Sequence, residues 1–210
     1  MTYIENIFIC ISAPLLVGIF CAGPRRRAFV FCLIGYAACL LSAYINTFFA
    51  GLYGADVTAA TVEITPVVEE VLKLLPLLFY LVVLTPEKKD MHTAILTISA
   101  SFATFENICY LTENGASELS HLLIRGFGTG AMHIVCGALV GYGLLYVWSR
   151  PLMKFAGTFG LLCAAISYHA IFNLLMSAGG VLQIIGYVIP IATVLAGVTI
   201  GKLVKRKRAE

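Results

Sequence analysis

Apolar residues run along this chain in long unbroken stretches divided by short polar breaks, without the period-two alternation of half-buried strands. Crossing a bilayer as a helix takes about 20 such residues. Seven stretches qualify, at 4–21, 28–50, 62–84, 93–111, 121–148, 155–176 and 181–200. Their continuity predicts helices and not a barrel, whose strands alternate over about 10 residues. The fifth is long enough to tilt or to project beyond the membrane. Seven spans leave no room for a second domain in 210 residues. The expected architecture is therefore an all-α polytopic membrane bundle, one domain over 1–210, with its chemistry in a core at 62–176.

Composition narrows the function classes. The chain is 60% hydrophobic and 12% charged, with a mean hydropathy of +0.94. A soluble domain has about 45–50% apolar and about 25% charged residues, so a water-soluble enzyme, a disordered chain and a nucleic-acid-binding module are excluded. Charge placement then sets orientation. Twelve of the 14 basic residues fall in alternate breaks: Arg25, Arg26 and Arg27, then Lys88 and Lys89, then Arg150 and Lys154, then Lys202, Lys205, Arg206, Lys207 and Arg208. With seven spans these share one side, which by the positive-inside rule is the cytoplasm. The N-terminus is expected outside and the C-terminus in the cytoplasm, with the 202–208 cluster against anionic lipid headgroups. The first stretch has no basic residue before it and Arg25–27 after it, the reverse of a cleaved signal.

Cys10, Cys21, Cys32, Cys39, Cys109, Cys136 and Cys163 are scattered singly, with no CxxC pair. They read as small buried apolar side chains and not as a disulfide frame or thiolate metal site. Gly126, Gly128 and Gly130 follow no strand, so a phosphate loop is not implied. With Gly137 and Gly141 they are expected to let helices approach closely.

The two remaining basic residues, Lys73 and Arg125, lie inside spans, where ionisable groups are costly and usually functional. The third span carries Glu69, Glu70 and Lys73. Lys73 can reach either carboxylate at i,i+3 or i,i+4, while the adjacent carboxylates point about 100° apart. One is expected to pair with Lys73 and the other to face a cavity. Pro66 and Pro76 mark places where this span could break. The fourth span carries Phe102, Glu106 and Asn107, the fifth Arg125 and His133, and the sixth His169 and Asn173. At about 1.5 Å per residue, Glu69, Glu70, Glu106 and His169 lie roughly 8–12 Å below the outer ends of their spans, and His133 near 18 Å. Four helices thus bring acidic and imidazole groups into the outer half of the membrane.

Such a constellation suits acid–base chemistry. A glutamate can activate water for attack on a peptide carbonyl, with a His or Asn donor on the oxyanion. Alternatively His133, His169 and one glutamate (Glu70 is the candidate) can hold a catalytic zinc with an open position. No HExxH is present, so the cofactor is read as none or as a divalent metal such as zinc. Arg125, four residues into its span, reads as support that reaches the headgroups. Asn107 and Asn173 read as interhelical hydrogen-bond partners, and Glu63, Glu113 and Glu118 as solvated loop residues. The rival class is a proton-coupled transporter using the same buried cluster. Against it stands the absence of an inverted repeat with paired interrupted helices.

In order, Glu69-Glu70-x-x-Lys73, Phe102-x-x-x-Glu106-Asn107, Arg125 with His133, and His169-x-x-x-Asn173 resemble the successive motifs of the PrsW family of intramembrane proteases, over roughly Glu69 to Asn173. The resemblance implies an endopeptidase in a bacterial cytoplasmic membrane that cuts single-pass proteins near the extracytoplasmic face, as in site-1 cleavage of an anti-sigma factor. It implies Glu69, Glu70 and His133 as the catalytic core, with Glu106 and His169 also in the site. A more distant similarity reaches the CAAX prenyl protease and bacteriocin-processing group. From that group the chain departs by Lys73-Leu74 in place of a following Arg, and by Glu106 in place of a His.

Overall fold

The computed structural model describes residues 4–23, 26–115 and 117–207, with the backbone alone at 205 and 207. Met1–Tyr3, Arg25 and Arg208, which entered the orientation argument, lie outside the described residues. The fold is all-α. Seven long helices follow one another: α1 Ile4–Cys21, α2 Arg26–Tyr53, α3 Thr65–Val83, α4 Lys88–Asn114, α5 Leu119–Val147, α6 Lys154–Ala178 and α7 Gly180–Lys207. Each apolar stretch became one helix, and most helices extend past the stretch by a few residues. The extensions continue into polar flanks, because backbone hydrogen bonding does not stop where hydrocarbon does.

Among the described residues, six of these helices are long and apolar enough to cross a membrane. The exception is α3, whose 19 residues include Glu69, Glu70 and Lys73. Its buried face carries those three together with Leu74 and Leu77, while Leu75, Phe79 and Val83 are exposed on the other. Polar inward and apolar outward is the pattern of a helix that lines a site inside a membrane bundle. The helix runs through Pro76, and Pro66 sits in its first turn; neither proline breaks the span.

In α4 and α5, 44% of the spanning window is inside the protein, against 6% in α1 and 17% in α7. The central pair therefore forms the axis on which the others lean. Ile95, Ile98, Met132, Cys136, Val140 and Leu144 fill the seam between them. Two contacts, Tyr110 with Arg125 and Phe102 with His133, fix α4 and α5 antiparallel with Glu106 level with Thr129. The Arg27–Asp90 ion pair places the first and third inter-helix connections at one end of the bundle, as the basic-residue count requires. Gly179 and Gly180 adopt φ of +69° and +55°, which lets α6 reverse directly into α7.

Close approach depends on glycine at specific places. A Cβ on Gly137 would lie 1.9 Å from Ser99 Oγ, and one on Gly141 2.3 Å from Ile95 Cγ1, so the GxxxG spacing does bring α5 against α4. Gly126 and Gly130 face open space, which corrects the expectation for them. Gly35 meets backbone as well as side chain: a Cβ there would lie 2.0 Å from Ser101 Oγ and 2.6 Å from the Ile98 carbonyl. We expect Gly35→Ala to destabilise the protein by about 1–3 kcal/mol, whereas Gly51→Ala, with nothing within 4 Å, should not. Thermal unfolding in detergent distinguishes them, and equal melting temperatures would remove this contact as a determinant of α2–α4 packing.

The cysteines are all free, but only Cys39 and Cys136 are buried, while Cys10, Cys21 and Cys163 are exposed. In a membrane bundle an outward thiol meets lipid and needs no burial, so the expectation of buried side chains is corrected.

Candidate active site

The polar face of α3 is aimed by an irregular entry. Residues Val57–Ala59 form a short helical turn capped by Asp56, and Ala60–Ile64 a π-helical turn. Pro66 has no N–H to give the preceding turn, so the wider π turn absorbs the mismatch before α3 begins. Asn173 Nδ2 of α6 donates to the Thr61 carbonyl at 2.9 Å, tying this entry to the helix that carries His169. Single π turns recur at functional sites because they shift the phase of the side chains that follow.

Downstream, five ionisable groups are at most 6% exposed: Glu69, Glu70, Lys73, His133 and His169. Lys73 Nζ donates to Glu70 Oε1 at 2.6 Å and lies 2.9 Å from His133 Nδ1. An ammonium only donates, so Nδ1 of His133 accepts and its Nε2–H donates to Glu106 Oε2, 2.6 Å away. His169 Nδ1 lies 2.8 Å from Glu70 Oε1. The carboxylate accepts there, so in the neutral imidazole the lone pair is on His169 Nε2. These tautomers follow from the partners. At the outer end Arg125 Nη2 lies 3.3 Å from Glu106 Oε1, and its guanidinium stacks 3.7 Å over the Tyr110 ring. The Phe102 ring lies 5.0 Å from Lys73 Nζ and 5.1 Å from the His133 ring. The result is a chain of alternating charge and imidazole from Arg125 through Glu106, His133, Lys73 and Glu70 to His169.

Glu69 stands apart from that chain. Its Oε2 is buried with no hydrogen-bond partner and lies 3.9 Å from His169 Nε2. An unpaired carboxylate oxygen inside a protein is expensive unless something fills its place. Glu69 also borders a cleft of about 240 Å³ between α1, α2, α4 and α5, with Glu106 and Arg125 on its wall. Glu106, with 30% of its side chain exposed, opens onto the same space. The expected division is therefore present: Glu70 holds Lys73 and Glu69 faces a cavity.

The residue types allow a metal. One oxygen or nitrogen each from Glu69, His133 and His169 lie within 4.8 Å of one another, a carboxylate and two imidazoles being a set that holds zinc with an open position. The orphaned Glu69 oxygen and the His169 Nε2 lone pair fit an ion as they stand; His133 fits on exchanging one of its present partners. The carboxylate of this trio is Glu69 and not Glu70, which corrects the sequence reading. Glu70 is already taken by Lys73 and holds His169 by its other nitrogen, the usual outer partner of a ligating histidine.

Other expectations change as well. Arg125 turns to Glu106 and Tyr110 instead of the headgroups, because a carboxylate and a ring face lie within its reach. His133 lies one helical turn, about 6 Å, from the level of Glu106 along the bundle, a gap that the glutamate side chain spans. Asn107 Oδ1 has no partner and does not join the network. Glu113, read as a solvated loop residue, is in the last turn of α4 and lines the cleft. Sequence reasoning passed over Asn46, whose buried Oδ1 has no partner and which lines the same cleft. A lone amide within the apolar second stretch was its signal. Tyr110 was also passed over, although it lies four residues from Glu106 on one helical face.

The chain matches the PrsW family of intramembrane metalloproteases over residues 22–205, which takes in every residue of the polar network. No solved structure matches the chain.

Proposed function

Because the chain belongs to the PrsW family of intramembrane metalloproteases, and is thus a multi-pass membrane peptidase and not a transporter, we propose that Glu69 activates the attacking water. The substrate in this reading is a single-pass membrane protein cut near the extracytoplasmic face, an anti-sigma factor being the kind that the family resemblance implies. One observation carries the reading: the buried Glu69 Oε2, without a hydrogen-bond partner, faces Nε2 of His169 across 3.9 Å.

Water held between these atoms gives up a proton to Glu69 as its oxygen attacks the peptide carbonyl. Glu70 accepts from His169 Nδ1 and so keeps the Nε2 lone pair turned towards the water. His133, fixed by Lys73 and Glu106, adds a polar wall, and Lys73 supplies a positive charge near developing negative charge. The proton on Glu69 then passes to the leaving amine. Were Glu69, His169 and His133 to hold an ion instead, the ion would supply Lewis acidity and acidify the bound water in place of the free carboxylate.

The test is reconstitution with a single-pass reporter and mass spectrometry of the products. Cleavage on the extracytoplasmic side of the reporter's span is expected, together with a stoichiometric divalent ion that His169→Ala loses. Cleavage on the cytoplasmic side would overturn the placement, and full activity in metal-free protein would overturn the metal.

A further inference from the structure

The cleft beside Glu69 also has an outer rim that the chemistry above does not use. Glu113 lies two helical turns beyond Glu106 on α4, about 10 Å further out. It is exposed, and it has no basic partner among the described residues. The lining holds three carboxylates, Glu69, Glu106 and Glu113, against one guanidinium, Arg125. Arg125 is committed to Glu106, so the exposed carboxylate of Glu113 is unopposed at the rim. Two residues of the lining carry buried acceptors without partners: Glu69 Oε2, on a side chain more than nine-tenths buried, and Asn46 Oδ1. Acceptors at the base and a free carboxylate at the rim call for an occupant that donates hydrogen bonds and carries positive charge. Arg125 Nε, a buried donor without a partner, complements a peptide carbonyl.

We propose that this cleft receives the extracytoplasmic flank of the substrate and that Glu113 selects a lysine or arginine in that flank, outward of the scissile bond. Glu113 is the specificity-determining residue and Glu69 the reacting one. The assignment rests on the proteolytic reading above, and it deepens that reading by naming the side-chain class the site prefers.

Cys109, half-buried on the same wall, provides a native reporter that needs no substrate. In a variant with Cys10, Cys21, Cys32 and Cys163 changed to serine, a trimethylammonium methanethiosulfonate is added to right-side-out vesicles and compared with its sulfonate counterpart. Labelling that Cys109→Ser removes should favour the cationic reagent by on the order of tenfold, and Glu113→Gln should erase most of that preference. No labelling, or equal rates, overturns the acidic cleft. Single-pass reporters carrying Lys or Glu in the outer flank form the second arm. Faster cleavage of the Lys reporter through a lower KM, with the preference reversed in Glu113→Lys, supports the selection. Equal cleavage of both overturns the role of Glu113 and leaves the protease intact. If cationic labelling holds while no reporter is cut, the substrate assignment falls together with the proteolytic reading.

Discussion

Replacing Glu69 with glutamine is expected to lower reporter cleavage by about 10²–10⁴-fold, the usual contribution of a positioned general base, with little change in stability. The two halves of this expectation come from one feature. Glu69 Oε2 makes no hydrogen bond, so an amide of the same shape breaks no contact of that atom, and it removes a charge from an interior that disfavours one. The amide keeps the geometry and loses the basicity. Cleavage rates in proteoliposomes measure the first half and thermal unfolding in detergent the second. Undiminished cleavage would take the reacting role from Glu69, and a large fall in melting temperature would mean that its oxygen has a structural partner.

The helices were legible in the sequence because lipid imposes one demand on long segments, that backbone polar groups be satisfied internally. The membership of the site was legible for the same reason: Glu69, Glu70, Lys73, Glu106, His133 and His169 stand out where hydrocarbon should be. Their pairing was not. Lys73 can reach Glu69 or Glu70 from its position in α3, and only the placement of α5 and α6 decides it, by setting His133 beside Lys73 and His169 beside Glu70. That choice makes Glu69 the free carboxylate, and it puts Glu69 in the metal trio where the sequence offered Glu70. The π turn ahead of α3 left little trace in the apolar pattern, since it depends on Pro66 and on the Asn173 amide from far along the chain. Asn46 escaped notice because its significance is the cleft it faces, which exists only after α2 packs on α4.

Glu70→Gln should behave oppositely to Glu69→Gln, with both activity and stability lost. Lys73 Nζ is buried with Glu70 Oε1 at 2.6 Å, and the same oxygen takes the His169 Nδ1 proton. With glutamine at 70 the ammonium loses its counter-charge and keeps neutral acceptors alone, the amide oxygen and the His133 nitrogen, beside the face of Phe102. Removing one partner of a buried ion pair costs about 3–5 kcal/mol, because the other charge remains in a medium that cannot solvate it. Removing both should cost far less: Lys73→Met in the Glu70→Gln background is expected to restore most of the melting temperature. It should not restore cleavage, since the carboxylate that holds His169 is still absent. A double-mutant cycle on thermal stability reads the coupling directly. Additive effects of the two substitutions would show that the pair is solvated, and the dry interior on which the reactivity of Glu69 depends would then be wrong.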